Sequence, residues 1–94
     1  MYYVYILTNQ NKKVMYVGFT SGLVKRVIEH REGVVDGFTK KYHVTRLVYY
    51  ECGEDYEGVL EREKVIKKWR RDKKNALVES MNPTWRDLFN DILE

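Results

Sequence analysis

The run Tyr2-Tyr3-Val4-Tyr5-Ile6-Leu7-Thr8 is followed by the polar residues Asn9-Gln10-Asn11-Lys12-Lys13 and then by Val14-Met15-Tyr16-Val17-Gly18-Phe19-Thr20. Both outer runs are rich in β-branched and aromatic residues, which suit a pleated and packed surface. The polar stretch between them is turn material, so the segment predicts a β-hairpin with a loop of about five residues. Apolar residues fall at odd and even positions alike, so both faces of the sheet should be covered. With the loop centred between residues 10 and 11, Tyr5 would lie opposite Tyr16, and Tyr3 opposite Gly18.

Working outward, Ser21-Gly22 should open a helix over about 22–33, with Leu23, Val24, Val27 and Ile28 as its buried stripe and Gly33 as its stop. Residues 34–44 read as loop, including the basic and aromatic Phe38-Thr39-Lys40-Lys41-Tyr42-His43. A third strand runs from Arg46 to Cys52, and a long helix is predicted over 56–72. A helix or helical turn follows through Asn75-Ala76-Leu77-Val78. The tail Asn82-Pro83-Thr84-Trp85 offers Asn82 or Thr84 as a cap for a short amphipathic helix using Leu88, Phe89, Ile92 and Leu93. The order β-β-α-β-α-α predicts a single α+β domain over residues 1–94, a three-stranded and mainly antiparallel sheet flanked by helices.

The bulk properties narrow the class. The chain has 94 residues, which is room for one modest core. Apolar residues make up 44% and aromatics 14%, enough for a folded body. The single cysteine, Cys52, cannot form an internal disulfide or a thiolate zinc site, and at the end of a strand it is expected to be structural. No apolar stretch approaches the roughly 20 residues that span a bilayer. The chain opens straight into a strand pattern without a leader, so a cytoplasmic protein is expected. A net charge of +3 tilts the partner towards a polyanion, but weakly, and its distribution says more. Residues 62–74 hold eight of the seventeen Lys and Arg side chains, with Trp69 among them. That is either an ordinary solvated helix face or a footprint for a phosphate backbone; Lys67, Lys68 and Arg70 are the candidate contacts.

Some residue types stand out as candidate chemistry. Tyr5 and Tyr16 should project from one face of the hairpin, either as core packing or as a phenol pair at a site. Gly18 costs strand stability and marks a close approach by backbone or ligand. Arg26 and His30, at i and i+4, share a helix face. They form a solvated basic edge or, alternatively, a guanidinium for phosphate and an imidazole for proton transfer. Glu63 falls between Val59 and Ile66 on the buried stripe of its helix, where a carboxylate needs a partner. That partner is Arg26 or a neighbouring Lys, or else a divalent cation touching phosphate; one carboxylate plus water suits Mg²⁺.

Together these residues resemble the GIY-YIG nuclease superfamily, in its small stand-alone bacterial form. Tyr3-Val4-Tyr5 stands for the first motif and Tyr16-Val17-Gly18 for the second, with Arg26, His30 and Glu63 following in order. The first motif lacks its glycine but keeps its tyrosine. Asn82-Pro83-x-Trp85-x-Asp87-Leu88 adds to the likeness. The resemblance implies metal-dependent endonucleolytic cleavage of DNA, in repair or recombination. Tyr5 or Tyr16 would help activate the attacking water, with His30 as proton acceptor. Arg26 would stabilise charge on the phosphate, and Glu63 would hold Mg²⁺ or Mn²⁺. Gly18 would let the phosphate approach the strand. An asparagine downstream of the metal-binding Glu is matched by Asn75, with Asn82 as the alternative. No separate target-recognition segment is present in these residues, so specificity is left to a structured or branched DNA or to a partner protein. A non-catalytic nucleic-acid-binding module using the basic 62–74 segment is the competing expectation. The catalytic reading requires all five side chains to line one open cleft.

Overall fold

A computed structural model describes residues 1–35 and 37–93. The order is β1 (Tyr2–Thr8), β2 (Met15–Thr20), α1 (Leu23–Glu32), α2 (Phe38–Lys41), β3 (Arg46–Gly53), α3 (Tyr56–Lys68), α4 (Arg71–Met81) and α5 (Phe89–Ile92). The strands form one antiparallel sheet in the order β2-β1-β3, with the aromatic first strand at its centre. Among the described residues, no helix is long and apolar enough to cross a membrane.

Alternation along β1 divides the core. Val4 and Ile6 join Val17, Val48, Ile66, Val78 and Trp85 on the face covered by α3 and α4. Tyr5 and Leu7 join Leu23, Val27, Val44, Leu47 and Leu88 on the face covered by α1 and the tail. Both faces are therefore covered, as the unbroken apolar runs predicted.

The hairpin register differs from the sequence-based expectation. Tyr5 pairs with Gly18, Leu7 with Tyr16, and Tyr3 with Thr20. The loop is longer because the Asn9 carboxamide accepts the Lys13 and Val14 N–H groups, and Lys12 takes a left-handed φ of 63°. That slips the pairing by two residues. An even slip leaves every side chain on its original face, so Tyr5 and Tyr16 still project together.

Other boundaries also moved. The first helix spans Leu23–Glu32, and Gly33 ends it at φ 72° while the Val34 N–H reaches back to the Glu29 carbonyl. Its fully buried residues are Leu23, Val27 and His30; Val24 and Ile28 are only half-buried. The 34–44 stretch is not all loop, since Phe38–Lys41 form a helical turn; residue 36 lies outside the described residues. The helix expected over 56–72 stops at Lys68, because Trp69 and Arg70 take extended ψ angles of 152° and 160°. Cys52 is exposed rather than buried.

The tail protects the outer edge of β3. Between Ile6 and Leu7 the β1–β3 pairing skips Val48, leaving a bulge whose carbonyl needs a partner. Asn82 Nδ2 supplies it at 3.1 Å and also donates to the Arg86 carbonyl at 2.8 Å. The Leu88 N–H donates to the Leu47 carbonyl at 2.7 Å, and the Asp87 carboxylate accepts from the Leu47 N–H at 3.3 Å. Neither Asn82 nor Thr84 caps α5; the Asp87 carboxylate accepts the Phe89 N–H instead. An edge strand left bare is a site of unwanted pairing, and this tail removes it.

Candidate active site

Tyr5 sits at the middle of the central strand and points towards α1. Its ring lies over Gly18: a Cβ there would be 2.3 Å from Tyr5 Cζ. Tyr16, two residues before Gly18 on β2, places its ring centre 6.2 Å from that of Tyr5. From α1, His30 enters between them, its ring 5.9 Å from Tyr5 and 5.5 Å from Tyr16. The Tyr5 hydroxyl is 3.1 Å from His30 Nε2, and the Thr39 hydroxyl is 3.0 Å from His30 Nδ1.

Tyr5 is 0% exposed and His30 only 2%. Burial raises the Tyr5 phenol pKa far above its ordinary value; the neighbouring Tyr16 adds to the rise and the Arg26 charge opposes it. Burial also lowers the His30 pKa, the Arg26 charge lowers it further, and Glu29 partly offsets both. His30 is therefore a neutral imidazole at pH 7, with both nitrogens engaged. Arg26, one turn before it, stays half-exposed and pairs through Nε with Glu29 at 3.2 Å. It lines a cavity of about 180 Å³ with Thr20, Ser21, Gly22, Lys25 and Glu29. Tyr16, half-buried, is the phenol of the pair that solvent can reach.

The structure thus brings Tyr5, Tyr16, Arg26 and His30 together, with Gly18 beneath them. Glu63 stands apart. It is carried by α3, whose Asp55 cap accepts the Gly58 N–H at 3.0 Å and whose Val59 and Ile66 pack on the opposite face of the sheet. The carboxylate is 5% exposed and its Oε2 lies 2.6 Å from Lys67 Nζ. Among the described residues, no hydrogen bond or ion pair joins it to Tyr5, Tyr16, Arg26 or His30. Lys67 is its partner, not Arg26.

A divalent ion is implied by the sequence reading, and its fit rests on that carboxylate. No group of three or more His, Cys, Asp or Glu side chains gathers among the described residues. A buried hard oxygen donor does suit Mg²⁺ held mainly by water. Its resident cation is an ammonium on a side chain 51% exposed, which can swing into solvent. The donor chemistry fits one weakly held hard cation, and no more.

The remaining candidates separate clearly. Lys68 and Arg70 are exposed and border a cavity of about 440 Å³ with Trp69, Asp72 and Lys73. The Trp69 ring has Lys73 Nζ at 4.3 Å and Arg62 Cζ at 5.3 Å. Asn75 accepts from Arg71 Nε at 2.9 Å, while Arg71 also holds the Lys12 and Lys13 carbonyls of the hairpin loop. Asn82 is committed to the β3 bulge. Sequence reasoning missed two groups. Thr39 lay in an expected loop with nothing to mark it. The Tyr49 hydroxyl and Arg62 both bond Glu51; burial pushes the Tyr49 pKa up to about 12. Burial pushes the Glu51 carboxyl up, but the Arg62 and Tyr49 hydrogen bonds outweigh it and leave it below its usual range.

Residues 1–75, which carry the hairpin, α1 and Glu63, match the GIY-YIG catalytic domain. The chain belongs to the GIY-YIG family. Within it, the chain groups with the UPF0213 family of small bacterial and archaeal proteins. It is 39% identical over 82 residues to a UPF0213 protein of Syntrophus aciditrophicus, covering 86% of this chain and 92% of that one. A UPF0213 protein of Haloquadratum walsbyi is 35% identical over 78 residues, covering 83% and 86%. The solution NMR structure of a UPF0213 protein from Bacillus halodurans superposes on this GIY-YIG domain with a TM-score of 0.59 at 27% identity, covering 93% of each chain. The α+β fold with its antiparallel β2-β1-β3 sheet is thus that of a solved GIY-YIG-like relative.

Proposed function

We propose that this GIY-YIG domain is a divalent-metal-dependent endonuclease hydrolysing DNA phosphodiesters. One observation carries the reading: a neutral, buried His30 bonded to Tyr5, with Tyr16 and Arg26 at its open side. Tyr16, the phenol of the pair that solvent reaches, would meet an attacking water, and the neutral imidazole, 5.5 Å away between ring centres, would be the eventual acceptor of the proton. Arg26, lining an open cavity, would hold a phosphate oxygen by charge-assisted hydrogen bonds. Tyr5, fully buried, orients His30 rather than touching substrate. Glu63 is the candidate ligand for Mg²⁺ or Mn²⁺, which when bound would neutralise charge on the phosphate. Since the five side chains do not line one open cleft, the reading relies instead on β2 to bring the two groups near each other, because it carries Tyr16 and Gly18 and also packs against α3.

The test is incubation of purified protein with single-stranded, nicked and branched DNA, in Mg²⁺ and in Mn²⁺. Cutting that disappears in Glu63→Ala and falls steeply in Tyr16→Phe supports the reading. Cutting that persists unchanged in Glu63→Ala counts against the assigned site.

One observation favours a second reading. The Glu63 carboxylate already has a cation, and the basic residues 62–74 flank Trp69 on an exposed surface. A binding module without turnover would show salt-sensitive DNA binding, weakened by Lys68 and Arg70 substitutions and indifferent to Glu63, with no cutting in any metal.

A further inference from the structure

We infer that a cavity floored by Tyr3 and Tyr50 takes the base of one unpaired nucleotide beside the scissile phosphate, so that the domain acts on DNA that is open at the cut; this rests on the cleavage reading. Tyr50 is the β3 partner of Tyr5, and Tyr3 lies two residues before Tyr5 on β1. Both rings therefore project from the Tyr5 face, at the margin of its core. They stay half-buried between the first turn of α1 and the end of α5, where they floor a cavity of about 380 Å³ walled by Leu23 and Ile92. Small-molecule sites span roughly 300–1,000 Å³.

The position of this cavity names its occupant. Ser21, Gly22 and Lys25 line it and also line the cavity that holds Arg26. With a phosphate at Arg26, the group that reaches past the shared wall is the sugar and base joined to that phosphate. Charge changes along the same line. No carboxylate lines the Tyr3–Tyr50 cavity, Lys25 stands at the junction, and Arg26 lies beyond it with Glu29 on its Nε at 3.2 Å. A nucleotide has that form, an uncharged planar end and an anionic end. Among the described residues Lys25 has no ion pair and the Tyr3 and Tyr50 hydroxyls have no hydrogen bond, so an entering nucleotide displaces none. A base inside a duplex has both faces stacked and must be unstacked to enter; an unpaired base avoids that cost. Aromatic rings meet any base through its face, so the cavity selects an open strand rather than a sequence.

The experiment titrates the labelled protein, without metal, with a short single strand of DNA, the same strand lacking its bases, and the matching duplex. The single strand should shift the NMR signals of Tyr3, Gly22, Lys25 and Tyr50. The abasic strand and the duplex should each bind about fivefold more weakly or worse, the loss of one stacked base. Tyr3→Leu, which keeps apolar bulk, should bind the single strand with a similar loss, and Tyr3→Phe should bind it like the wild type. Equal binding of all three DNAs, unchanged affinity in Tyr3→Leu, or shifts centred on Trp69 would overturn the proposal. The wild-type comparison decides even if Tyr3→Leu does not fold. Binding requires no turnover, so the two readings fail separately. A wild type that binds in a base-dependent way and cuts nothing sinks the nuclease reading and leaves the pocket. One that cuts paired and unpaired DNA alike, and binds both equally, sinks the pocket alone.

Discussion

The Tyr5 phenol occupies the space that any side chain at Gly18 would need: a Cβ there would lie 2.3 Å from Cζ and 2.4 Å from the hydroxyl oxygen. The glycine of the second motif is therefore required by the tyrosine of the first. Tyr5 is fully buried and bonded to His30, so it has nowhere to go. Gly18→Ala should destabilise the fold by about 2 kcal/mol or more, as overpacking does. Urea denaturation checks it; a loss below about 0.5 kcal/mol would mean that the ring moves freely.

His30 gives the fold a pH dependence of known sign. Its pKa is lowered in the folded protein, chiefly by burial, while in the unfolded chain it returns to about 6.5. Above that value both states are neutral at this ring and the full stability is present. As pH falls below it, the unfolded chain takes up a proton that the folded one refuses, and stability is lost down to the folded pKa. Denaturation midpoints measured from pH 7.5 to 5 should fall more steeply in the wild type than in His30→Gln. Parallel curves would contradict the buried neutral state.

The hairpin, the strand order of β1 and β2, and the shared face of Tyr5 and Tyr16 were legible because alternation and turn chemistry are local. The register was not, since it depends on Asn9 closing a longer loop with its side chain. The break after Lys68 was also hidden: Trp69-Arg70 contains no Gly or Pro, and the ring is held by Arg62 and Lys73 around it. The burial of His30 could have been read, because Leu23, Val27 and His30 follow helical spacing. Thr39 could not, since its importance comes only from the tertiary approach of α2. Glu63 was placed correctly on the buried stripe, but its position across the sheet depends on how α3 docks.

The two candidate asparagines should behave differently. Asn82→Ala removes the partner of the Val48 carbonyl and leaves it buried and unpaired, which costs about 2–3 kcal/mol. Asn75→Ala, which loses an exposed contact with Arg71, should cost less than about 1 kcal/mol. Thermal unfolding distinguishes them. Equal losses would mean that the tail does not depend on Asn82.

Lys67→Ala strands the Glu63 carboxylate without its cation. With the lysine half-exposed, the expected loss is about 1–2 kcal/mol, less than for a fully buried pair. Mn²⁺ should restore it, since a ligand at about 100 times its Kd adds roughly 2.7 kcal/mol. Unfolding curves with and without Mn²⁺ test this. A loss that Mn²⁺ leaves untouched would argue that Glu63 is an ion-pair residue and nothing more.

The most direct test of the whole account is Mn²⁺ titration of the labelled protein, followed by NMR residue by residue. Paramagnetic broadening should appear first at Glu63 and Lys67, extend to Tyr16 and Gly18 on β2, and vanish in Glu63→Gln. Broadening centred elsewhere, or confined to α3 without reaching β2, would contradict a phosphodiester-cutting site shared between Glu63 and the tyrosine–histidine cluster.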